Sequence, residues 1–416
     1  MRPLPLCQAF ASAARWFYAA AMQGEDRQKV ETGSGYTSVP RLTAVIGEHR
    51  LTVLHDGPER WRALIDLIDG AEHRLDLCFY IFATDAAGQA VRDALTTAAR
   101  RGVAVTIILD SFGAEAEADF FAEMCAAGGR FLSFSPRRTQ RYLIRNHQKM
   151  VIADNRQAMF GGFNIEDGYF SASDEEGWDD LAILLRGPAV GGLADLFARL
   201  VDWTSGRGPK FLAVRRASRQ WQWSDGQLRW LIGGPSKSLS RWARCVGDDL
   251  KRGRRLDMVM AYFSPPNHLL RAIGRIAGRG EVRLVMAAKS DNEATVGATR
   301  SLYSYLLQQG AQVWEFSPRK LHTKLIVLDD AVYLGSANFD VRSLYLNLEL
   351  MLKIDNADAA ERMRQFVSQH ITASKRITPE LHQSRATLWN RMRWNLSWLL
   401  VTVVDYTVTR RLNLGL

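Results

Sequence analysis

Cysteine is scarce in this chain: there are four in 416 residues, at Cys7, Cys78, Cys125 and Cys245, with no Cys-x-x-Cys spacing. That excludes a disulfide framework and a cysteine-built zinc site, and it fits a reducing compartment in which thiols serve as small core hydrophobes. Long apolar runs are missing as well. The stretch from Leu4 to Met22 is rich in alanine and broken by Arg15, which is poor for a span needing about 20 strongly apolar residues. Arg2 precedes it, but no cleavage pattern of a signal peptide follows. Residues 1–40 read as a peripheral helix and the linker-like run Glu31 to Pro40. Acidic charge is in deficit, with 44 Asp and Glu against 54 Lys and Arg, a formal net charge of +10. At 47% apolar and 24% charged the chain is neither disordered nor polytopic, and its length suits two or three structural units. The positive surplus points to an anionic partner, nucleic acid or a phospholipid surface, unless it serves solubility alone.

What the chain does contain is an internal duplication. Arg74-Leu-Asp-Leu-Cys-Phe-Tyr-Ile-Phe82 matches Arg255-Leu-Asp-Met-Val-Met-Ala-Tyr-Phe263, and both read as buried strands. Each is followed by a helical stretch ending at Gly102 or Gly280, a second apolar run, another helix, and Phe134-Ser-Pro136 or Phe316-Ser-Pro318. This alternation predicts an α/β fold of two repeats, each a mostly parallel sheet flanked by helices, packed about a pseudo-twofold axis. The repeats span 41–205 and 228–372. A basic connection (206–227) joins them, and a basic tail (373–416) follows.

Each repeat ends in the same polar signature. The first has Asn146-His147-Gln-Lys149 with Asp154, then Gly161-Gly-Phe-Asn164; the second has His322-Thr-Lys324 with Asp329, then Gly335-Ser-Ala-Asn338. His and Lys two apart on a strand share a face. The next strand returns Asn164 or Asn338 beside them, so lysine supplies charge and asparagine a directional donor to a phosphate. Two such spacings at matching repeat positions arise by chance with odds on the order of one in ten thousand, which rejects coincidence. The candidate catalytic set is therefore His147, Lys149, Asp154, His322, Lys324 and Asp329. Within it the two aspartates fall at turns and read as holding those turns or pairing with a basic group. Asn164, Asn338 and Ser336 are candidate phosphate contacts, Ser336 without a counterpart because the first repeat has Gly162 there. Opposed imidazoles suit phosphodiester exchange without a metal or cofactor: one attacks phosphorus and the other moves the proton. Lysine inside the cluster argues against metal ligation by repelling a cation.

These paired His-x-Lys-x4-Asp motifs with trailing Gly-x-x-Asn resemble the phospholipase D superfamily from about residue 45 to 372, and within it the bacterial cardiolipin synthases of the B type. Supporting segments are Tyr80 to Gly88, Arg101-Gly-Val103, Asp180 to Pro188, Ala261-Tyr-Phe-Ser-Pro265 and Asn338 to Leu344. The resemblance implies a phosphatidyl-histidine intermediate, with His147 as nucleophile and His322 as acid and base. It also implies a carboxylate orienting each imidazole, for which Asp180 and Glu349 stand in matching contexts. The implied reaction converts two phosphatidylglycerols to cardiolipin and glycerol at the cytoplasmic face of the bacterial inner membrane. A phospholipase D, another phosphatidyltransferase (including one with a phosphatidylethanolamine donor) and a metal-independent nuclease remain alternatives.

Two further features bear on the substrate. The Phe-Ser-Pro marks lie 182 residues apart and the motif histidines 175, so the first repeat carries seven extra residues within Arg137 to Arg145. Four arginines there read as a loop facing an anionic head group or as a solvated basic loop. The tail carries seven Lys and Arg against two acids, with Trp389, Trp394, Trp398 and the apolar run Leu396 to Val404. It reads as an interfacial anchor on anionic lipid, with a core-packing helix or a dimer contact as alternatives. No nucleic-acid partner is expected from it.

Overall fold

The computed structural model describes residues 36–39, 41–135, 144–205, 218, 220–236 and 238–404. The expected N-terminal helix, Arg137, Arg138 and Arg141 of the insertion, most of the connection and the end of the tail lie outside them.

The first repeat contributes β1 (Leu42–Ile46), β2 (His49–Leu54), β3 (Arg74–Phe79), β4 (Ala104–Asp110), β5 (Arg130–Phe134), β6 (Met150–Ala153), β7 (Gln157–Gly161), β8 (Trp178–Asp179) and β9 (Ala182–Arg186). The second contributes β10 (Trp223–Asp225), β11 (Leu228–Ile232), β12 (Arg255–Met260), β13 (Phe263–Ser264), β14 (Glu281–Ala287), β15 (Gln312–Phe316), β16 (Lys320–Leu321), β17 (Lys324–Leu328), β18 (Ala331–Gly335), β19 (Phe339–Asp340), β20 (Leu350–Asp355) and β21 (Ser374–Ile377). The two large sheets run in the same order, β1-β2-β9-β7-β6-β3-β4-β5 and β10-β11-β20-β18-β17-β12-β14-β15, with β21 added at the edge of the second.

The α/β class and the duplication hold, but each large sheet is mixed rather than mostly parallel. Strand, helix, strand connections make β3-β4-β5 and β12-β14-β15 parallel. The motif strands β6 and β17 return through hairpins to β7 and β18, so those pairings and their neighbours are antiparallel. A short connection can join only antiparallel neighbours, and the apolar runs themselves do not reveal direction.

The strands are apolar on both faces because both faces are covered. Along β6, Met150 and Ile152 face a central core while Val151 and Ala153 face an outer one; β17 repeats this with Leu325 and Val327 against Ile326 and Leu328. The central core lies between the sheets and includes the helices Ala189–Ser205 and Ala357–Thr372. Outer cores are roofed by Gly57–Asp69 and Ala86–Arg100 on one side and by Arg241–Arg252 and Asn267–Ala277 on the other.

Two boundaries shift. The connection is more than a surface link at its end, since β10 pairs with β11 and Trp221 is buried with its indole donating to Asp195 at 2.8 Å. The tail opens as β21, antiparallel to β15, so it starts as part of the second sheet.

Candidate active site

The histidines reach one place because each motif strand is paired, just before its histidine, with the other repeat. His147 donates its backbone N–H to Leu348 O and Leu348 donates to Arg145 O, both at 2.9 Å. In the mirror arrangement β16 runs parallel to β8, with His322 N–H on Asp179 O at 2.7 Å. Leu348 and Asp179 immediately precede the two orienting carboxylates. The carboxylates therefore serve the opposite repeat: Glu349 Oε2 lies 3.1 Å from His147 Nδ1, and Asp180 Oδ2 lies 2.6 Å from His322 Nδ1. A carboxylate on Nδ1 holds that proton and leaves Nε2 with its lone pair.

Burial sets the electrostatics. It pulls both imidazoles down to about 4, opposed by Glu349 at His147, and at His322 reinforced by Lys324 and opposed by Asp180. Lys149 falls to about 7 and Lys324 to about 8, again through burial, against the attraction of Glu349 and Asp180 respectively. Each ammonium donates to the carbonyl of its own motif histidine, Lys149 Nζ to His147 O at 2.7 Å and Lys324 Nζ to His322 O. Two lysines and two carboxylates make the empty site formally neutral when both imidazoles are neutral. A bound phosphodiester adds one negative charge, and a proton on one imidazole restores the balance. Below about pH 7 both lysines are charged; above about pH 8 neither is fully so. A phosphodiester of fixed charge, such as dimethyl phosphate, is thus expected to bind more weakly as pH rises from about 6 to about 9, and to take up a proton on binding near neutrality. Calorimetry in buffers of different protonation enthalpy measures both, and a pH-independent affinity contradicts this electrostatic picture.

The remaining candidates sort by geometry. Asn164 is buried, accepts from Ile81 N–H at 3.1 Å and donates to Tyr169 OH at 3.1 Å, and Tyr169 OH lies 3.4 Å from His322 Nδ1. Asn338 is buried, and among the described residues its Oδ1 has no hydrogen-bond partner. Ser336 corrects the expectation of a phosphate contact: it is buried and donates to Glu349 Oε2 at 2.5 Å, while Leu350 N–H donates to its hydroxyl at 3.0 Å. At the matching Gly162 a Cβ would stand 2.3 Å from Asp180 Oδ1, so the first repeat has glycine where its shorter carboxylate folds in.

Asp154 and Asp329 are removed from the catalytic set. They occupy the turns after β6 and β17 with φ of 51° and 49°, a left-handed conformation that aspartate tolerates better than most residues. Asp154 accepts the backbone N–H groups of Glu72, His73 and Arg74 at 2.8–2.9 Å, and Asp329 those of Arg254 and Arg255. Asp154 lies roughly 15 Å along the strand from Lys149. Asp154→Ala is expected to lower unfolding stability by about 1 to 3 kcal/mol, read by chemical denaturation, with little change in kcat. Loss of activity at unchanged stability would return Asp154 to the site.

Several residues carry no motif yet shape the site. Arg60 is fully buried and donates to Asp180 O and Tyr169 O. Tyr80 sets its ring 4.9 Å from His147, and Trp178 lies 5.4 Å from His322. Asp110 is taken up by the backbone N–H groups of Asn146, Phe112 and Gly113. Beside the site, His55, Asp179 and His370 bring potential ligand atoms within 4.8 Å of one another. His55 Nδ1, however, accepts Val39 N–H at 2.9 Å, so its Nε2 carries the proton and donates to Asp179 at 2.8 Å. That nitrogen has no lone pair for a cation, and with Tyr36 donating to Asp179 at 2.5 Å the group is a hydrogen-bonded brace for β8.

A family model described as cardiolipin synthase, PLD-like domain, matches residues 64–187 and again 248–371. The chain belongs to this family. Each match to the cardiolipin synthase domain covers one repeat and contains one histidine motif. The chain is 29% identical over 338 residues to cardiolipin synthase 2 of Bacillus anthracis, covering 78% of this chain and 65% of that relative's length. It is 29% identical over 362 residues to cardiolipin synthase B of Salmonella typhimurium, covering 82% of this chain and 85% of that one. Among solved structures, the phosphatidylserine synthase of Haemophilus influenzae Rd KW20 superposes with a TM-score of 0.67 at 15% identity, over 88% of this chain and 97% of that one, a likeness of fold.

Proposed function

We propose that this chain is a cardiolipin synthase that transfers a phosphatidyl group from one phosphatidylglycerol to another through a phosphatidyl-histidine. The observation that carries the reading is the crossed pair of His–carboxylate dyads, each with a buried lysine. It supplies one nucleophile, one proton carrier and two cations around a single phosphate. His147 Nε2 attacks phosphorus as the glycerol oxygen leaves with a proton from His322. The hydroxyl of a second phosphatidylglycerol then gives its proton to His322 as its oxygen displaces His147. Lys149 and Lys324 offset charge on the non-bridging oxygens. Purified protein incubated with phosphatidylglycerol liposomes in chelator should yield cardiolipin and glycerol with little phosphatidic acid. Phosphatidic acid alone would make it a hydrolase, and cleavage of single-stranded DNA without lipid turnover would make it a nuclease.

The membrane surface is approached through the tail. Among the described residues no helix is long and apolar enough to cross a membrane. The helix Leu388–Trp398 buries Trp394, which stacks on His382, against Glu293–Ser301, where Gly297 allows close approach. Its other side exposes Leu388, Trp389, Met392 and Leu396, at 84%, 63%, 62% and 48% exposure, with Leu399 and Leu400 beyond. An apolar stripe beside Arg391 and Arg393 suits the interface of an anionic bilayer, and we place the protein peripherally on the cytoplasmic face of the inner membrane. Replacing Trp389, Met392 and Leu396 together by serine is expected to weaken flotation with phosphatidylglycerol liposomes by at least about tenfold, on burial of about 25 cal/mol per Å². Unchanged flotation refutes the anchor.

A further inference from the structure

Arg145 stands two residues before His147, and the Leu348 hydrogen bonds on either side hold this stretch extended. Arg145, His147 and Lys149 therefore share a face, and all three border one ring: Arg145 Cζ, the His147 ring and Lys149 Nζ lie 5.9, 4.9 and 5.3 Å from the Tyr80 ring centroid. The guanidinium is also fixed in place. Nη1 donates to Tyr80 OH at 3.0 Å, and Cζ lies 4.1 Å over the ring of Phe112, itself 62% exposed at the mouth of the site. Among the described residues no carboxylate comes within ion-pair distance of Arg145, and its Nε is buried without an acceptor. The nearby Asp110 is occupied by three backbone N–H groups. A rigid, half-buried guanidinium with an unmet donor is a ready partner for a phosphate.

Resting on the cardiolipin synthase reading, we propose that Arg145, clamped between Tyr80 and Phe112, binds the phosphate of the acceptor phospholipid. The acceptor brings a second phosphate beside its attacking hydroxyl, and Lys149 and Lys324 are already committed to the reacting phosphoryl group. In the product the two phosphorus atoms are joined by six bonds, a path of about 9 Å at about 1.5 Å per bond that spans roughly 7 Å end to end because it zigzags. Residues two apart on a strand are separated by about 7 Å as well. Gripping the acceptor there raises its effective concentration at the phosphatidyl-histidine over that of water. The oxygen–phosphorus bond forms, the phosphorus–nitrogen bond to His147 breaks, and the hydroxyl proton passes to His322. The matching residue of the second repeat, Lys320, is an exposed ammonium over Trp178 at 5.3 Å and lacks this fixed fork.

The test uses the full chain with phosphatidylglycerol vesicles, with and without ethanol as a neutral acceptor, and follows cardiolipin, phosphatidic acid and phosphatidylethanol. In Arg145→Ala the yield of cardiolipin is expected to fall at least about tenfold more than that of phosphatidylethanol, the loss of one charged hydrogen-bond partner. Phosphatidic acid gains in share, and the KM for acceptor lipid rises more than kcat falls. Arg145→Lys should recover part of the ratio, and Lys320→Ala should keep the wild-type ratio. Equal loss of all three products in Arg145→Ala, or a ratio that moves in Lys320→Ala instead, overturns the assignment while leaving the synthase reading intact. Wild-type protein that turns over no phospholipid removes both.

Discussion

Replacing His147 by alanine is expected to abolish phosphatidyl transfer, by about 10⁴-fold or more, and replacing His322 is expected to do nearly the same with the natural substrate. The double variant should be little worse than either single one, because nucleophile and proton carrier act as one unit. The fold should survive, since among the described residues the His147 side chain makes a single hydrogen bond, and Glu349 keeps Ser336 and Asn347 as donors without it. The roles separate with a donor whose leaving group is an acidic phenol, such as phosphatidyl-p-nitrophenol, which departs without a proton. His322→Ala should then release a burst of nitrophenol, whereas His147→Ala should release none. A burst in His147→Ala alone would exchange the two roles.

The second large effect comes from the crossed carboxylates. Glu349→Gln and Asp180→Asn keep nearly the same shape, but an amide can offer its N–H to the imidazole Nδ1 and so place the ring proton on the reactive nitrogen. A loss of about 10² to 10⁴ in kcat is expected for each, the range seen when such an orienting carboxylate is neutralised. Because Asp180 serves His322 across the repeat boundary, the nitrophenyl donor should rescue the burst in Asp180→Asn and not in Glu349→Gln. Rescue in the reverse pattern would show that each carboxylate serves its own repeat. Ser336→Ala should reduce activity less than Glu349→Gln, since it removes one of the donors that hold the Glu349 carboxylate.

Much of this site was legible in the sequence because its parts are local and repeated. His147 with Lys149 and His322 with Lys324 announce themselves by spacing, whereas Asp180 and Glu349 came from the resemblance, which implies a carboxylate for each imidazole. Grouping Asp154 with the catalytic set misjudged its place, although a residue five beyond Lys149 falls on the other face of the strand; its carboxylate is taken up by the Glu72 to Arg74 backbone. The crossing of the dyads was not legible, because it depends on β8 pairing with β16 and Leu348 with the Asn146 segment, contacts between residues more than a hundred positions apart. Nor was the direction of the motif strands, which the hairpins after Ala153 and Leu328 decide. Arg60 and Tyr169 escaped because burial and ring contacts leave no spacing signature, and Tyr80, though part of a quoted segment, gave no sign of its contact with His147. For the tail, composition left an interfacial anchor, a core-packing helix and a dimer contact open, and in the structure Trp394 packs inward while Trp389 on the same helix stays exposed.

The central claim is that two repeats build one active site with one covalent intermediate. Protein denatured near neutral pH during turnover of phosphatidylglycerol, digested and examined by mass spectrometry measures this most directly. The expected result is at most one phosphatidyl group per chain, carried by the His147 peptide and absent from His147→Ala. Adducts on the His147 and His322 peptides of the same chain, or turnover without any histidine adduct, would contradict it.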